Sequence, residues 1–119
     1  MKPTKENRKK FDIDLKYGTI REEKIAEMLT NKKIEVKRDL IAKKTGNIFI
    51  EYESRGKPSG LSTTQSDFYC FVIEDLHIML PTSQLKDIAR SYIGTGRDVR
   101  GGDNNTSKGI LLRLKDLIP

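Results

Sequence analysis

"KKIEVKRDLIAKKTGNIFIEYESRG", residues 32–56, alternates twice. In residues 33–40, Ile34, Val36 and Leu40 take one set of positions and Glu35, Lys37 and Asp39 the other. In residues 47–54, Ile48, Ile50 and Tyr52 alternate with Phe49, Glu51 and Glu53. Period-two alternation in segments rich in β-branched and aromatic residues predicts two strands with an apolar and a polar face. Thr45-Gly46-Asn47 is a turn signal, so the pair is expected to form an antiparallel hairpin. Its polar face then holds four carboxylates and a lysine, with Glu35 and Glu51 on neighbouring strands about 4.8 Å apart.

Acids that close repel one another unless a cation or a lysine neutralises them. A solvated sheet face with cross-strand ion pairs is the plain alternative. Glu22 tips the balance. Thr19 with Glu22 makes a capping box that opens a helix ending near Thr30–Asn31, with Ile20, Ile25, Ala26, Met28 and Leu29 as its apolar stripe. Glu22 borders that stripe, so it is expected to reach the hairpin when the helix packs on the sheet. Three carboxylates suit a hard divalent cation, and Mg²⁺ or Mn²⁺ near phosphate suits hydrolysis. Lys37 adds a compact positive charge beside them.

Beyond the hairpin, Gly56, Pro58 and Gly60 mark a loop. Ser62 or Thr63 is read as the cap of a helix through residues 64–73, Leu76–Leu80 as a short apolar strand ended by Pro81, and residues 83–93 as a helix capped by Thr82 or Ser83. Residues 94–109, with five glycines, read as a long loop, and residues 110–118 as a strand or short helix. The order predicts one α/β domain over residues 11–119 with a mixed sheet, preceded by a disordered basic arm over residues 1–10.

The chain has 119 residues, 35% hydrophobic and 34% charged, with formal net charge +6. That is one domain's length, with room for one modest core. A positive balance of this size points to a polyanion, nucleic acid foremost. Cys70 is the only cysteine, which excludes an intrachain disulfide and a cysteine zinc site and suits a reducing cytoplasm. No apolar run approaches the roughly 20 residues of a membrane span. His77, the only histidine, lies in Leu76–Leu80 and reads as a core or edge residue rather than a ligand. The glycine-rich stretch from residue 94 lacks the Gly-Lys-Ser/Thr ending of a phosphate loop. Its Arg97 and Arg100 are candidate phosphate contacts. Lys43, Lys44, Arg55 and Lys57, with Ser59, flank the acids as a DNA-backbone groove requires.

A helix carrying Gly18-x-x-x-Glu22, a strand with Glu35-Val36-Lys37, then a strand, a helix and a strand, resemble the PD-(D/E)XK nuclease superfamily over residues 11–93. The nearest flavour is the phage-type, Holliday-junction-resolvase-like endonucleases. The resemblance implies a restriction-endonuclease-like domain with a central mixed sheet flanked by helices. It also implies Mg²⁺- or Mn²⁺-dependent hydrolysis of DNA phosphodiesters on branched or junction DNA, by a homodimer in the cytoplasm of a phage-infected bacterium. Glu22 matches the first-helix acid, Glu35 and Lys37 match the signature, and the Val36 carbonyl matches a metal ligand. The family's separate aspartate strand has no room before Glu35. Either Glu35-x-Lys37 is the signature and Asp14, Asp39 or Glu51 supplies the missing acid, or Glu35 holds the aspartate's place and Glu51 is the signature acid. The reading favours Glu51 as fourth member of a site with Glu22, Glu35 and Lys37. Gln65-x-x-x-Tyr69 resembles a motif that lies near the DNA backbone in exonuclease branches, which adds Gln65 to the DNA contacts. A non-catalytic DNA-binding module and a phage accessory protein that binds protein are the other readings.

Overall fold

In the computed structural model, the described residues are 22–118. The expected arm over residues 1–10, the segment with Asp14 and the Thr19 cap lie outside them. The chain divides into two units, Met1–Lys32 and Lys33–Pro119, each described by itself. In the first unit, residues 22–29 are helical (α1) and end where the Thr30 hydroxyl donates to the Ala26 carbonyl at 2.7 Å.

The second unit holds two sheets. The first contains β1 (Ile34–Arg38), β4 (Phe68–Ile73) and β5 (Leu76–Pro81), in the order β1-β4-β5. The second contains β2 (Asn47–Ser54), β3 (Lys57–Pro58), β6 (Asp98–Gly101) and β7 (Ser107–Arg113), in the order β3-β2-β7-β6. Two helices complete it, α2 (Ala42–Thr45) and α3 (Thr82–Arg90), with short 3₁₀ turns at Gly60–Ser62, Asp103–Asn105 and Leu114–Leu117. The described residues are thus mixed α/β, with two sheets and three helices.

The expected hairpin does not form. β1 pairs in parallel with β4, Glu35 opposite Tyr69 and Lys37 opposite Phe71. β2 pairs antiparallel with β7. Thr45-Gly46-Asn47 does turn the chain, but as the end of α2: Gly46 adopts φ 73° and its N–H returns to the Ala42 carbonyl. With a helical turn between them, β1 and β2 leave in separate sheets.

The register also reverses the expected facing of β1. Residues opposite one another in a ladder share a face. Glu35 and Lys37 therefore share theirs with Tyr69 and Phe71, which are buried, while Val36 shares the other face with Cys70 and stays 61% exposed. Alternation says that two sets of side chains diverge, not which set meets the core. Leu40, expected with the apolar set, is 81% exposed.

Residues 68–73, expected to be helical, form β4. An apolar run of Phe, Tyr, Cys, Phe, Val and Ile is short and rich in aromatic and β-branched residues, and burial between two partner strands holds it extended. Gln65 and Tyr69 accordingly share no helix face. The expected loop over residues 94–109 contains β6 and the start of β7. Its glycines make room for an aromatic ring: a Cβ at Gly101 would stand 2.9 Å from Cζ of Phe49, and one at Gly109 2.6 Å from its Cε2.

Strand β2 follows its predicted alternation. Ile48 and Ile50 enter the core with Ile110 and Leu112 of β7, Tyr69, Phe71 and Leu80 of the other sheet, and Leu85 and Ala89 of α3. Phe71, Ile48, Leu85, Ile110 and Leu112 are the largest fully buried side chains, and each contributes about 1.5–3 kcal/mol by leaving water. No helix among the described residues is long and apolar enough to cross a membrane.

Candidate functional site

Strand β3 pairs only with Glu53 and Ser54, so the Asn47–Glu51 half of β2 has a ladder partner on one side alone, β7. Beside that half-strand lies a cavity of about 130 Å³ lined by Lys37 and Asp39 from the end of β1, by Ile48–Glu51, by Gly60 and Leu61, and by Tyr69. The cavity therefore joins the two alternating segments that the missing hairpin was to join, through Lys37, Asp39 and Glu51.

Each acid is held by one oxygen. Oδ1 of Asp39 accepts the backbone N–H groups of Ile41 at 2.9 Å and Ala42 at 2.8 Å, which fixes the carboxylate and starts α2. Oε2 of Glu51 accepts the Ser59 hydroxyl at 3.0 Å. Among the described residues, Oδ2 of Asp39 and Oε1 of Glu51 accept no hydrogen bond. The loop that presents Ser59 lies flat on β2. The Ser59 N–H donates to the Tyr52 carbonyl at 3.1 Å, the Ser62 hydroxyl donates to the same carbonyl at 2.7 Å, and Gly60 follows at φ 51°. A Cβ at Gly60 would run into the Glu51 carbonyl oxygen and stand 3.2 Å from the Glu51 Cβ. Gly60 thus lies against the Glu51 backbone, and the Ser59 hydroxyl orients the Glu51 side chain.

A ladder irregularity sits beside it. Glu51 faces Gly109 and Glu53 faces Lys108, so Tyr52 is a bulged residue without a partner. Its hydroxyl donates to Oδ1 of Asp98 at 2.6 Å. The hydrogen bond to Asp98, then burial and the Asp98 charge, push the Tyr52 phenol up to about 12. The Tyr52 hydroxyl, then the Gly94 N–H at 3.0 Å, hold Asp98 below the usual carboxylate range.

Lys37 Nζ lies 3.2 Å from Oε1 of Glu35, an ion pair about half exposed and worth under about 1 kcal/mol. Lys37 borders the cavity together with Tyr69.

The candidate residues separate as follows. Lys37 and Glu51 line one cavity, and Asp39, one of the open choices for the missing acid, joins them. Glu35 is not opposite Glu51, as the hairpin required, but opposite Tyr69, and it reaches Lys37. Glu22 opens the described part of α1 in the other unit. The Val36 side chain points away from the core face. Among the described residues no group of three or more His, Cys, Asp or Glu is placed to hold a metal ion. Asp39 and Glu51 are two carboxylates, and a phosphate-processing Mg²⁺ commonly takes one or two, with water and substrate oxygens completing its shell.

Of the expected DNA contacts, Lys44, Arg55, Lys57, Gln65 and Arg100 are exposed. Lys43 is exposed and paired with Glu74 at 2.9 Å. Ser59 is engaged with Glu51. Arg97 turns inward, its Nε donating to the Leu111 carbonyl and its Nη2 to Oδ1 of Asn47, so it ties the β6 approach to β7 and β2. The signal for Asp39 was present in the sequence: an aspartate at a strand end, followed by Leu-Ile-Ala-Lys-Lys, is a helix-start pattern.

Comparison of the chain with protein-family models, with curated proteins and with solved structures finds no match.

Proposed function

We propose that this protein is a metal-dependent DNA endonuclease of the PD-(D/E)XK kind, with Asp39 and Glu51 as the acids that hold Mg²⁺ or Mn²⁺ and Lys37 as the lysine of the site. The observation that carries the reading is that Lys37, Asp39 and Glu51 line one cavity, beside the half of β2 that pairs with β7 alone. On this proposal the domain is restriction-endonuclease-like. The parallel β1–β4 and antiparallel β4–β5 pairs support its mixed sheet.

A bound divalent cation would supply Lewis-acid stabilisation of the charge that builds on a scissile phosphodiester. The chain's own residues do the rest. Ser59 and the Ile41 and Ala42 N–H groups fix one oxygen of each acid, which aims the other. Lys37 supplies three donors and a point charge for the attacking water or the phosphoryl oxygens. Glu35 holds that ammonium until DNA competes for it. The +6 charge and the exposed Lys44, Arg55, Lys57 and Arg100 draw in the phosphate backbone. Branched or junction DNA as substrate and a homodimer as the working form follow from the resemblance alone.

Incubation of supercoiled plasmid and a four-way junction with Mg²⁺ or Mn²⁺, by wild type and Lys37→Ala, tests the reading. Cleavage by wild type, lost in the variant while DNA binding persists, supports the enzyme. Salt-sensitive binding without cleavage under either metal identifies a DNA-binding module instead. No binding to DNA leaves the protein-binding reading.

A further inference from the structure

We propose that the cavity lined by β2, β7 and α3 binds a small carboxylic acid with an apolar body, its carboxylate held by Lys86 and Arg90. The inference goes beyond the nuclease reading and does not depend on it. The cavity has a volume of about 280 Å³. Ile50 of β2, Leu61 of the Gly60–Ser62 turn, Ala89 of α3 and Ile110 of β7 supply a buried apolar lining. Ile93, just beyond α3, adds a fifth apolar side chain and is 56% exposed. Water against such a lining finds few hydrogen-bond partners, so an apolar body that displaces it gains free energy.

Charge and free donors name the occupant. Lys86 and Arg90 are the charged residues of the lining, and no carboxylate lines it. They stand four apart on α3, so they share a face, and like charges at that spacing repel. Arg90 gives Nη1 to Oδ1 of Asp87 at 2.9 Å, whereas Lys86 has no ion-pair partner among the described residues. Two positive charges less the negative one of Asp87 leave a single positive charge, which matches a monoanion. The remaining Arg90 N–H groups can grip a carboxylate at two points. The neutral donors of the lining are spent elsewhere, the Tyr52 hydroxyl on Asp98 and the Ser62 hydroxyl on the Tyr52 carbonyl. The helix dipole accounts for a cation at Arg90, in the last turn of α3, but not for Lys86 in its middle. At about 30 Å³ for each water-sized group, the volume suits about ten non-hydrogen atoms, the size of octanoate.

The test titrates octanoate, octanol, octylammonium and acetate into the full chain, with no DNA present, followed by calorimetry and by NMR of isoleucine methyl groups. Wild type is expected to bind octanoate at a single site about tenfold more tightly than octanol, with octylammonium weaker still and acetate unbound. Nuclear Overhauser effects from the octanoate chain are expected at the methyls of Ile50, Ile93 and Ile110. Lys86→Gln/Arg90→Gln changes two positions that are not buried. It is expected to bind octanoate as weakly as octanol, with octanol affinity within about twofold of wild type. Equal wild-type affinity for octanoate and octylammonium, or unchanged octanoate affinity in the double variant, overturns the proposal. Overhauser effects confined to other methyls place the anion elsewhere on a basic chain and overturn it as well. So does the absence of saturable octanoate binding below about 10 mM. None of these outcomes bears on the nuclease reading, which DNA cleavage tests separately.

Discussion

The Ser59 hydroxyl donates to Oε2 of Glu51 at 3.0 Å, from a loop that Gly60 allows to lie against the Glu51 backbone. This contact orients one acid of the candidate site without touching substrate. Removing it should move activity more than stability. Ser59→Ala is expected to lower metal-dependent cleavage by about 10- to 100-fold, the range for groups that orient a ligand, while changing the unfolding free energy by only about 1 kcal/mol. Cleavage rates at several Mn²⁺ concentrations, with thermal unfolding of the same samples, check both halves.

Gly60 and Gly46 both lie at positive φ, but only Gly60 is crowded: a Cβ there strikes Glu51, whereas one at Gly46 meets nothing within 4 Å. Gly46→Ala should cost only the left-handed backbone penalty, about 1 kcal/mol. Gly60→Ala should cost about 2–4 kcal/mol, because the loop must lift from β2, and it should take cleavage down with it. Paired urea unfolding curves measure the difference.

The Tyr52–Asp98 pair links stability to pH at the bulge. Tyr52 has its pKa raised from 10.0 to about 12, so its contribution is complete below pH 10 and disappears as pH rises through about 12. Asp98 is held low, so its contribution is present above the ordinary aspartate range and disappears as pH falls through its depressed value. Tyr52→Phe should therefore flatten the stability loss between about pH 10 and 12 relative to wild type. Melting temperatures of the two proteins across that window, subtracted, isolate the pair from the other groups that titrate there.

Core and surface of the first sheet should respond oppositely. Phe71 is fully buried, and Phe71→Ala should cost about 3–5 kcal/mol. Val36, on the same sheet but 61% exposed, should tolerate Val36→Thr within about 0.5 kcal/mol. Chemical denaturation of both variants shows whether β1 faces as its register with β4 requires.

These contrasts also mark what the sequence made legible. α3 was readable because Leu85 and Ala89 recur at helical spacing after a proline, and β2 because Ile48 and Ile50 alternate with polar neighbours. The partners of β1 and β2 were not. Pairing depends on long-range packing, and the turn signal at Gly46 serves a helix end as well as a hairpin. β4 was misread because six apolar residues are compatible with either period, and burial on both sides decided the matter. β6 and the start of β7 hid behind Gly101 and Gly109, whose missing side chains serve the Phe49 ring. For the site, residue types were legible and their grouping was not. Lys37, Asp39 and Glu51 line one cavity beside β2, whereas Glu35 lies opposite Tyr69 and pairs with Lys37.

The most direct measurement is Mn²⁺-supported cleavage of plasmid and junction DNA by wild type, Asp39→Asn and Glu51→Gln, with binding to the same DNA measured in EDTA. The account predicts cleavage by wild type that EDTA abolishes, a loss on the order of a hundredfold or more in each variant, and DNA affinity little changed. Cleavage that survives both substitutions, or a wild-type protein that binds DNA and cuts none of it with either Mg²⁺ or Mn²⁺, would contradict it.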